Sequence, residues 1–323
     1  MPSEKINKEG NFPLKIHTSS RFADLSLLFV ALIWGSTFVI VQNAIGFLEP
    51  LIFNGIRFFL AALFLFIWLL TFKPSQLKQI NIHCLKSGII LGICLFIGYA
   101  FQTIGLVYTT SSKAGFITGL SVVLVPLFMY LFLKQALLIT HIIGVIIATI
   151  GLYLLTISNT FSFNIGDFYV LICAIGFALQ IILTGKYSKE HPTLLLTIIQ
   201  LLTVSILGII GSFLFETPSA NFKMTIIFQE EVIIALLITS VLATAVAFLI
   251  QTSLQKYTNS TRVALIFATE PVFAAITAYL FNNEQLTASA TIGCTLILLG
   301  MIFSELPKKT LLSTFQRQKY IEK

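Results

Sequence analysis

The chain has 323 residues, of which 57% are hydrophobic and only 10% charged, with 30 phenylalanines and a formal net charge of +7. Soluble proteins carry about 25% charged residues, so this composition excludes a string of water-soluble domains and fits hydrocarbon as the solvent. The positive charge does not point to nucleic acid. Basic residues sit mainly at the two ends and in short gaps between apolar runs, with no basic stripe interleaved with exposed aromatics.

Residues 1–23 form a polar, basic tail, and the first apolar run is too long for the h-region of a cleavable signal peptide. A helix that crosses the hydrocarbon layer needs about 20 residues. Apolar runs predict ten such helices, at 24–44, 50–70, 86–107, 114–133, 140–157, 166–185, 193–215, 232–254, 262–281 and 287–304. The fifth and tenth are short, and the longest connection, 216–231, reads as a loop or surface helix. The predicted fold class is an all-α polytopic membrane protein. With the N-terminus inside, 17 of the 20 Lys and Arg residues fall in the tails and connections on that side, and Lys113 and Lys223 on the other. The positive-inside rule therefore expects both termini in the cytoplasm.

Several residues interrupt these runs. In the first helix Trp34, Ser36 and Thr37 stand near the middle, away from the interfacial belts that tryptophan prefers. Arg57 lies seven residues inside the second helix, about 10 Å down at helical rise. It either snorkels outward or faces a watery cavity, where it would attract a carboxylate. The third helix carries Phe96, Tyr99, Gln102 and Thr103 on one broad face, and the eighth presents Thr244, Phe248 and Gln251 in the same manner. Phe177 and Gln180 occupy the centre of the sixth. Buried amides and hydroxyls need partners in hydrocarbon, so these residues either tie helices together or line a transport path. Lys113 and Arg262 each begin a helix, as snorkelling topology markers or as gate residues. Glu270, directly before Pro271, sits near the middle of VALIFATEPVFAAITAYLF (263–281). It is too deep to reach headgroups, so it must be paired, hydrated or protonated. Pro271 cannot donate to the carbonyl of Phe267, which predicts a bend with a local polar site. Small residues such as Gly88, Gly92, Gly208 and Gly211 read as close-packing positions. Cys84, Cys94, Cys173 and Cys294 have neither CxxC spacing nor histidine neighbours at metal-ligand distances and read as apolar fillers, so no metal or cofactor is expected.

The second half of the chain repeats the first. At an offset of 149 residues, Tyr108, Ser111 and Lys113 meet Tyr257, Ser260 and Arg262, while Gly144 and Gly151 meet Gly293 and Gly300. Gln102 and Thr103 meet Gln251 and Thr252 at the same offset. Five spans in each half place the halves upside down relative to each other, a recurring transporter design built around a midplane site.

WGSTFVI at 34–40, the Pro50 to Arg57 spacing, TSSKAGFITGLSVVLVPL at 110–127, TNSTRVALIFATEPVFAAITAYLFNNEQLT at 258–287 and IGCTLILLG at 292–300 together resemble EamA-type transporters of the drug/metabolite transporter superfamily. The resemblance spans about 24–305; Glu284 follows the family's pattern, and Lys134 with Gln135 departs from it in the first half. It implies a ten-helix bundle of two inverted five-helix repeats around a central cavity. The tails would be 1–23 and 305–323, the repeats 24–157 and 166–304, and the linker 158–165. It also implies a bacterial plasma-membrane location, with the fifth and tenth helices as scaffold or dimer contact of a monomer or homodimer.

The leading expectation is a secondary transporter that exports a small metabolite such as an amino acid, coupled to protons or working by exchange. A multidrug or metabolite importer or exchanger of the same fold is the alternative. No GxxxxGK[ST] signature supports an ATP-driven pump, and no dense polar set favours sodium. A membrane-embedded enzyme is the contrasting class, but HExxH and GxSxG are absent and the four histidines are scattered. The orientation is testable by cysteine accessibility on intact cells. An introduced site near Ser219 should be labelled and one near Ser188 should not; the opposite pattern overturns the topology.

Overall fold

The computed structural model describes residues 20–109, 111–135, 138–156, 164–216, 229–281 and 287–304. The tail segments 1–19 and 305–323, the linker residues 158–163, and most of the 216–231 connection with Lys223 lie outside the described residues, as does Glu284. The described residues are helical and short-turn throughout, with no strand. The helices are α1 (Ser20–Ala44), α2 (Pro50–Phe72), α3 (Ile82–Tyr108), α4 (Ser111–Gly119), α5 (Ser121–Leu133), α6 (Ile139–Thr156) and α7 (Ile165–Tyr187). They continue with α8 (Thr193–Phe215), α9 (Glu230–Ser240), a π turn at Val241–Val246, α10 (Ala247–Leu254), α11 (Ser260–Phe267), α12 (Glu270–Phe281) and α13 (Ala288–Ser304). Short 3-10 turns occupy Pro74–Gln79 and Gln255–Tyr257.

Local sequence explains many of the boundaries. Pro50 opens α2, where its missing N–H is no loss. The side chain of Asn81 accepts from Cys84 N at 2.9 Å to start α3. Asn164 and Asp167 form a reciprocal capping box at α7, and Asn259 accepts from Thr261 N at 2.8 Å to start α11. Lys134 ends α5 in the left-handed region at φ 51°, a conformation more often given to glycine.

Among the described residues six helical segments are long and apolar enough to cross a membrane: Pro50–Phe72, Ile82–Tyr108, Ala114–Leu133, Ile165–Tyr187, Thr193–Phe215 and Glu230–Tyr257. Two shorter apolar helices, Ile139–Leu155 and Ala288–Ser304, fall where the fifth and tenth spans are expected. The fold is therefore an all-α polytopic membrane bundle. Its helices are apolar on both faces, as lipid requires: in α2, Phe53, Phe58, Leu65 and Leu69 are buried while Phe59, Ile67, Trp68 and Leu70 are exposed. The ninth expected span is divided rather than continuous. It stops at Phe267 and restarts at Glu270, so the bend foreseen at Pro271 is a break, with the proline in the first turn of α12. At the matching position a single turn residue, Leu120, separates α4 from α5, which together still run as one apolar segment.

Glycine lets the backbones meet. A Cβ on Gly144 would lie 2.7 Å from the carbonyl of Gly300, and one on Gly151 2.6 Å from that of Gly293, so α6 and α13 pack in backbone contact. Gly98 and Gly176 join α3 to α7, and Gly55 and Gly208 join α2 to α8. Gly88 and Gly92 accommodate Ile199 and Thr203 of α8. Small residues at such crossings supply the van der Waals contact that drives helix association in lipid. At the far end of α8, the carboxylate of Glu216 accepts from Leu51 N and Ile52 N, satisfying the first turn of α2. Overpacking a helix crossing costs about 1–3 kcal/mol. Gly151→Val should accordingly lower the melting temperature of detergent-purified protein, while Gly115→Ala, whose Cβ would meet nothing within 4 Å, should not.

Candidate functional site

The interior is organised by one aromatic cluster fed from six helices. Trp34 of α1 lies 5.3 Å from Phe248 of α10 and 4.9 Å from Phe267 of α11. Phe248 continues to Phe58 at 6.2 Å and to Tyr99 at 6.1 Å. Tyr99 contacts Phe58 at 5.0 Å and Phe177 of α7 at 5.2 Å, mostly edge to face. Gly98 makes room for the Phe177 ring, because any side chain there would collide with it.

Polar groups are set into this cluster by the π turn. A π turn widens the helix and leaves its hydrogen-bonding ladder irregular. Here the carbonyl of Ala243 accepts from Trp34 Nε1 at 2.8 Å. The next residue, Thr244, accepts from Arg57 Nε at 2.7 Å. Arg57 is only 2% exposed. Its guanidinium lies 5.1 Å from the Tyr99 ring and 5.5 Å from the Phe58 ring, so cation–π attraction supplements the hydrogen bond. Arg57 thus does not snorkel; it turns inward. One turn before it, buried Asn54 donates to Thr103 Oγ1 at 3.0 Å and to the Tyr99 carbonyl at 3.3 Å, fixing α2 against α3.

Glu270 begins α12 and is half-buried. Its backbone carbonyl faces Gly35, beside Trp34. Its carboxylate makes no hydrogen bond or ion pair among the described residues, and Phe267, three residues before it, packs on Trp34. Trp34, Arg57, Tyr99, Phe177, Thr244, Phe248 and Glu270 therefore gather around one interior region.

The other anticipated residues are placed differently. Gln180 and Gln251 are fully buried and bonded to each other, Gln251 Nε2 donating to Gln180 Oε1 at 3.1 Å, which ties α7 to α10. Gln102 donates to Thr118 Oγ1 at 3.4 Å. Thr37 bonds back to the Ile33 carbonyl at 2.8 Å, and Ser36 accepts from Thr277 Oγ1 at 3.2 Å. Phe96 packs beside Gly211 of α8. Arg262 pairs with Asp24 of α1 at 3.1 Å and donates to Ser20 at 3.3 Å, so it is an interhelical ion-pair partner near the helix start. Lys113 belongs to α4, but its side chain lies outside the described residues. Sequence reasoning missed Phe58 and Phe267, which nothing distinguishes among 30 phenylalanines, and the π turn. It also missed Asn54 and Asp24, for which a signal existed, since each is a polar residue inside an apolar run.

These features define a class: a polytopic membrane bundle whose interior carries a buried cation, a carboxylate and aromatic walls. The chain matches the EamA-like transporter family twice, over residues 21–157 and 164–306, and belongs to it. It is therefore a membrane transporter of the secondary type. It is 39% identical over 287 residues to an uncharacterized transporter of Archaeoglobus fulgidus, covering 88% of this chain and 86% of the relative. It is 24% identical over 303 residues to the uncharacterized transporter YoaV of Bacillus subtilis, covering 91% and 98% of the two chains. A solved crystal structure 20% identical in sequence shares the fold at a TM-score of 0.73, over 90% of this chain and 98% of that one.

Leaving a buried donor unpaired costs about 1–3 kcal/mol. Thr244→Val keeps the shape but removes the acceptor of Arg57 Nε, and should lower the melting temperature of purified protein. Thr71→Val, on the exposed face of α2, should stay within about 0.5 kcal/mol of wild type; equal effects of the two would deny the Arg57 contact its weight.

Proposed function

We propose that the chain is a ten-span secondary active transporter, two inverted five-helix repeats at 24–157 and 166–304 around a central site, that exports a small amphipathic metabolite such as an amino acid. The observation that carries this reading is the double match to a transporter family, at 21–157 and 164–306, in a chain whose interior holds Arg57, Glu270 and an aromatic wall.

The inverted arrangement has independent geometric support. The sequence offset of 149 pairs Gly144 with Gly293 and Gly151 with Gly300. In space Gly144 meets Gly300 and Gly151 meets Gly293, so exchanging the halves turns each contact into the other, as a two-fold axis requires. The same offset brings Leu120, where α4 stops, onto Thr269, where α11 has stopped. Broken helices at matching positions of two halves are a feature of transporters that bind at the midplane. Two similar halves can trade inward- and outward-open shapes at nearly equal energy, which is the basis of alternating access.

In this reading the cell membrane holds the chain with both termini cytoplasmic, and lipids and the cargo are its partners. Trp34, Tyr99, Phe177 and Phe248 form the wall against which an apolar body lies. Arg57 attracts a carboxylate, and Glu270 is the group whose protonation couples to the cycle. Gln102, Gln180, Gln251, Ser36, Thr37 and Phe96 hold the surrounding helices in place, and Lys113 and Arg262 mark opposite mouths.

The test is substrate flux by purified protein in liposomes, with and without an imposed pH gradient. Glu270→Gln keeps the size of the side chain but removes titration. It should fold, retain exchange and lose gradient-driven accumulation. Wild-type dependence on the gradient in well-folded Glu270→Gln protein excludes Glu270 as the obligatory proton carrier, and accumulation inward only reverses the direction proposed.

A further inference from the structure

We propose that Asp24 and Arg262 form a latch that closes the bundle at the end where α1 begins, and that it opens when α11 swings away from α1 and uncovers Trp34. The inference rests on the transport reading and names the element of the fold that moves.

The pair joins the two halves of the chain. Arg262 Nη2 lies 3.1 Å from Asp24 Oδ2, and Arg262 Nη1 donates to Ser20 Oγ at 3.3 Å. Ser20 in turn donates to Asp24 Oδ2 at 3.4 Å, so Ser20, Asp24 and Arg262 close on one another between α1 and α11. Arg262 stands in the first turn of α11, where the positive end of the helix dipole opposes a cation. The capping of α11 falls to Asn259, so Arg262 is placed for its partner on α1. The Arg262 and Asp24 side chains are 21% and 8% exposed, at the edge of water rather than sealed from it. A sealed pair is hard to part, because each charge is left without a partner. A partly exposed pair is rehydrated as it opens and weighs only a few-fold in an equilibrium. A closure of that weight does not arrest a cycle between states of nearly equal energy.

Helix α11 is a short lever between this pair and the aromatic cluster. It stops at Phe267, and Ala268 and Thr269 separate it from α12. Val263, Ala264, Ile266 and Phe267 are buried with Leu27, Val30 and Ala31 of α1, and Phe267 meets Trp34 at 4.9 Å. The lever thus lies along α1 with the ion pair at one end and the ring contact at the other. Beside Arg262, Thr261 meets α5 through the thioether of Met129 at 3.5 Å, a weak acceptor. The anchor lies on the far side of the turn. A Cβ on Gly35 would fall 2.5 Å from the carbonyl of Glu270 and 2.9 Å from Ala274 N, so α12 is held against α1 in backbone contact. Rotation at Ala268 and Thr269 parts Arg262 from Asp24 and Phe267 from Trp34 while α12 stays in place. The opposite end repeats the charges. Asp167 and Phe177 stand 143 residues after Asp24 and Trp34, and Arg262 stands 149 after Lys113. Asp167 accepts from Thr109 Oγ1 at 2.5 Å, so there too the acid fastens the start of a repeat to the other half. An acid and a base in matching register at both ends allow one end to close as the other opens.

Spin labels on protein in nanodiscs read the two ends separately, by the distance between two labelled cysteines. Native Cys84, Cys94 and Cys173 are buried, and Cys294→Ala removes the fourth. Leu25 and Tyr257 are exposed near the latch, and Phe168 is exposed on α7. A side chain at Gly115 of α4 would meet nothing within 4 Å. Leu25→Cys with Tyr257→Cys reports the latch end, and Phe168→Cys with Gly115→Cys the opposite end. Arg262→Gln should raise the ratio of long to short distances at the latch end about fivefold, the weight of a partly exposed ion pair. It should also move the opposite end to shorter distances. Asp24→Arg combined with Arg262→Asp should restore both ends. Salt at about 1 M screens partly exposed charges and should shift both ends of protein with the native pair as Arg262→Gln does. The salt series needs no change to the pair, so poor folding of Arg262→Gln does not remove the test.

A lower melting temperature for Arg262→Gln with unmoved distances at the opposite end makes the pair a strut and overturns the latch. So does a salt series that shifts neither end, or a charge swap that leaves both ends as they are in Arg262→Gln. Liposome flux of labelled amino acids separates the latch from the reading it rests on. When Asp24→Cys and Arg262→Cys are joined by a reversible bis-methanethiosulfonate, flux should stop and return on reduction. Flux that persists across the bridge overturns the latch and leaves transport standing. Opposite movement of the two ends in protein that carries no labelled amino acid sinks that cargo and leaves the latch.

Discussion

Hydrocarbon offers no hydrogen bonds, so most of the polar side chains that this chain carries into the membrane are matched by another part of the chain, the Glu270 carboxylate being an exception among the described residues. Threonines often solve this locally: Thr37, Thr71 and Thr203 bond back to carbonyls four residues earlier in their own helices. Longer side chains cannot, and their matches run between helices. Asn54 reaches α3, Arg57 and Trp34 reach the π turn, and Gln251 reaches α7. Each of these bonds fixes how one helix is rotated against another. The aromatic cluster takes its shape from those rotations, because rings alone would pack in several ways.

Close backbone approach is the second determinant. Where glycines face each other on α6 and α13, two helices too short to dominate by area still meet along their length. Among the described residues the interrupted elements, α4 with α5 and α11 with α12, show no comparable glycine seam between them. The bundle thus combines crossings in backbone contact with helices interrupted by short turns.

Hydropathy made the spans legible because apolar residues on both faces of a helix have few uses outside lipid. Helix breaks were only half legible. Pro271 marks the restart of α12, but Pro126 lies inside an unbroken α5, six residues after the break at Leu120. Neighbouring groups can satisfy what a proline frees in a membrane helix, so the residue type does not locate the break. Within the interior, Trp34 and Phe177 stood out by their place at the centre of a span, and Tyr99 and Phe248 by faces of aromatic and polar residues at helical spacing. The partners did not. Ala243 accepts from Trp34 through its backbone, which carries no side-chain signal. The tie between Gln180 and Gln251 depends on the rotation of two helices, which one sequence leaves open.

The π turn at Val241–Val246 holds, in effect, one residue more than an α-helix needs over the same rise. Each residue of an α-helix advances the face by about 100°. A relative that lacked one residue in this stretch would keep the length and hydropathy of the span almost unchanged. Everything from Ala247 to Leu254 would nevertheless swing by that angle against the residues before it. Phe248 would leave the ring cluster, and Gln251 would turn away from Gln180. A gap of a single residue in an alignment, at a place where composition hardly changes, would therefore mark a transporter with a differently furnished interior.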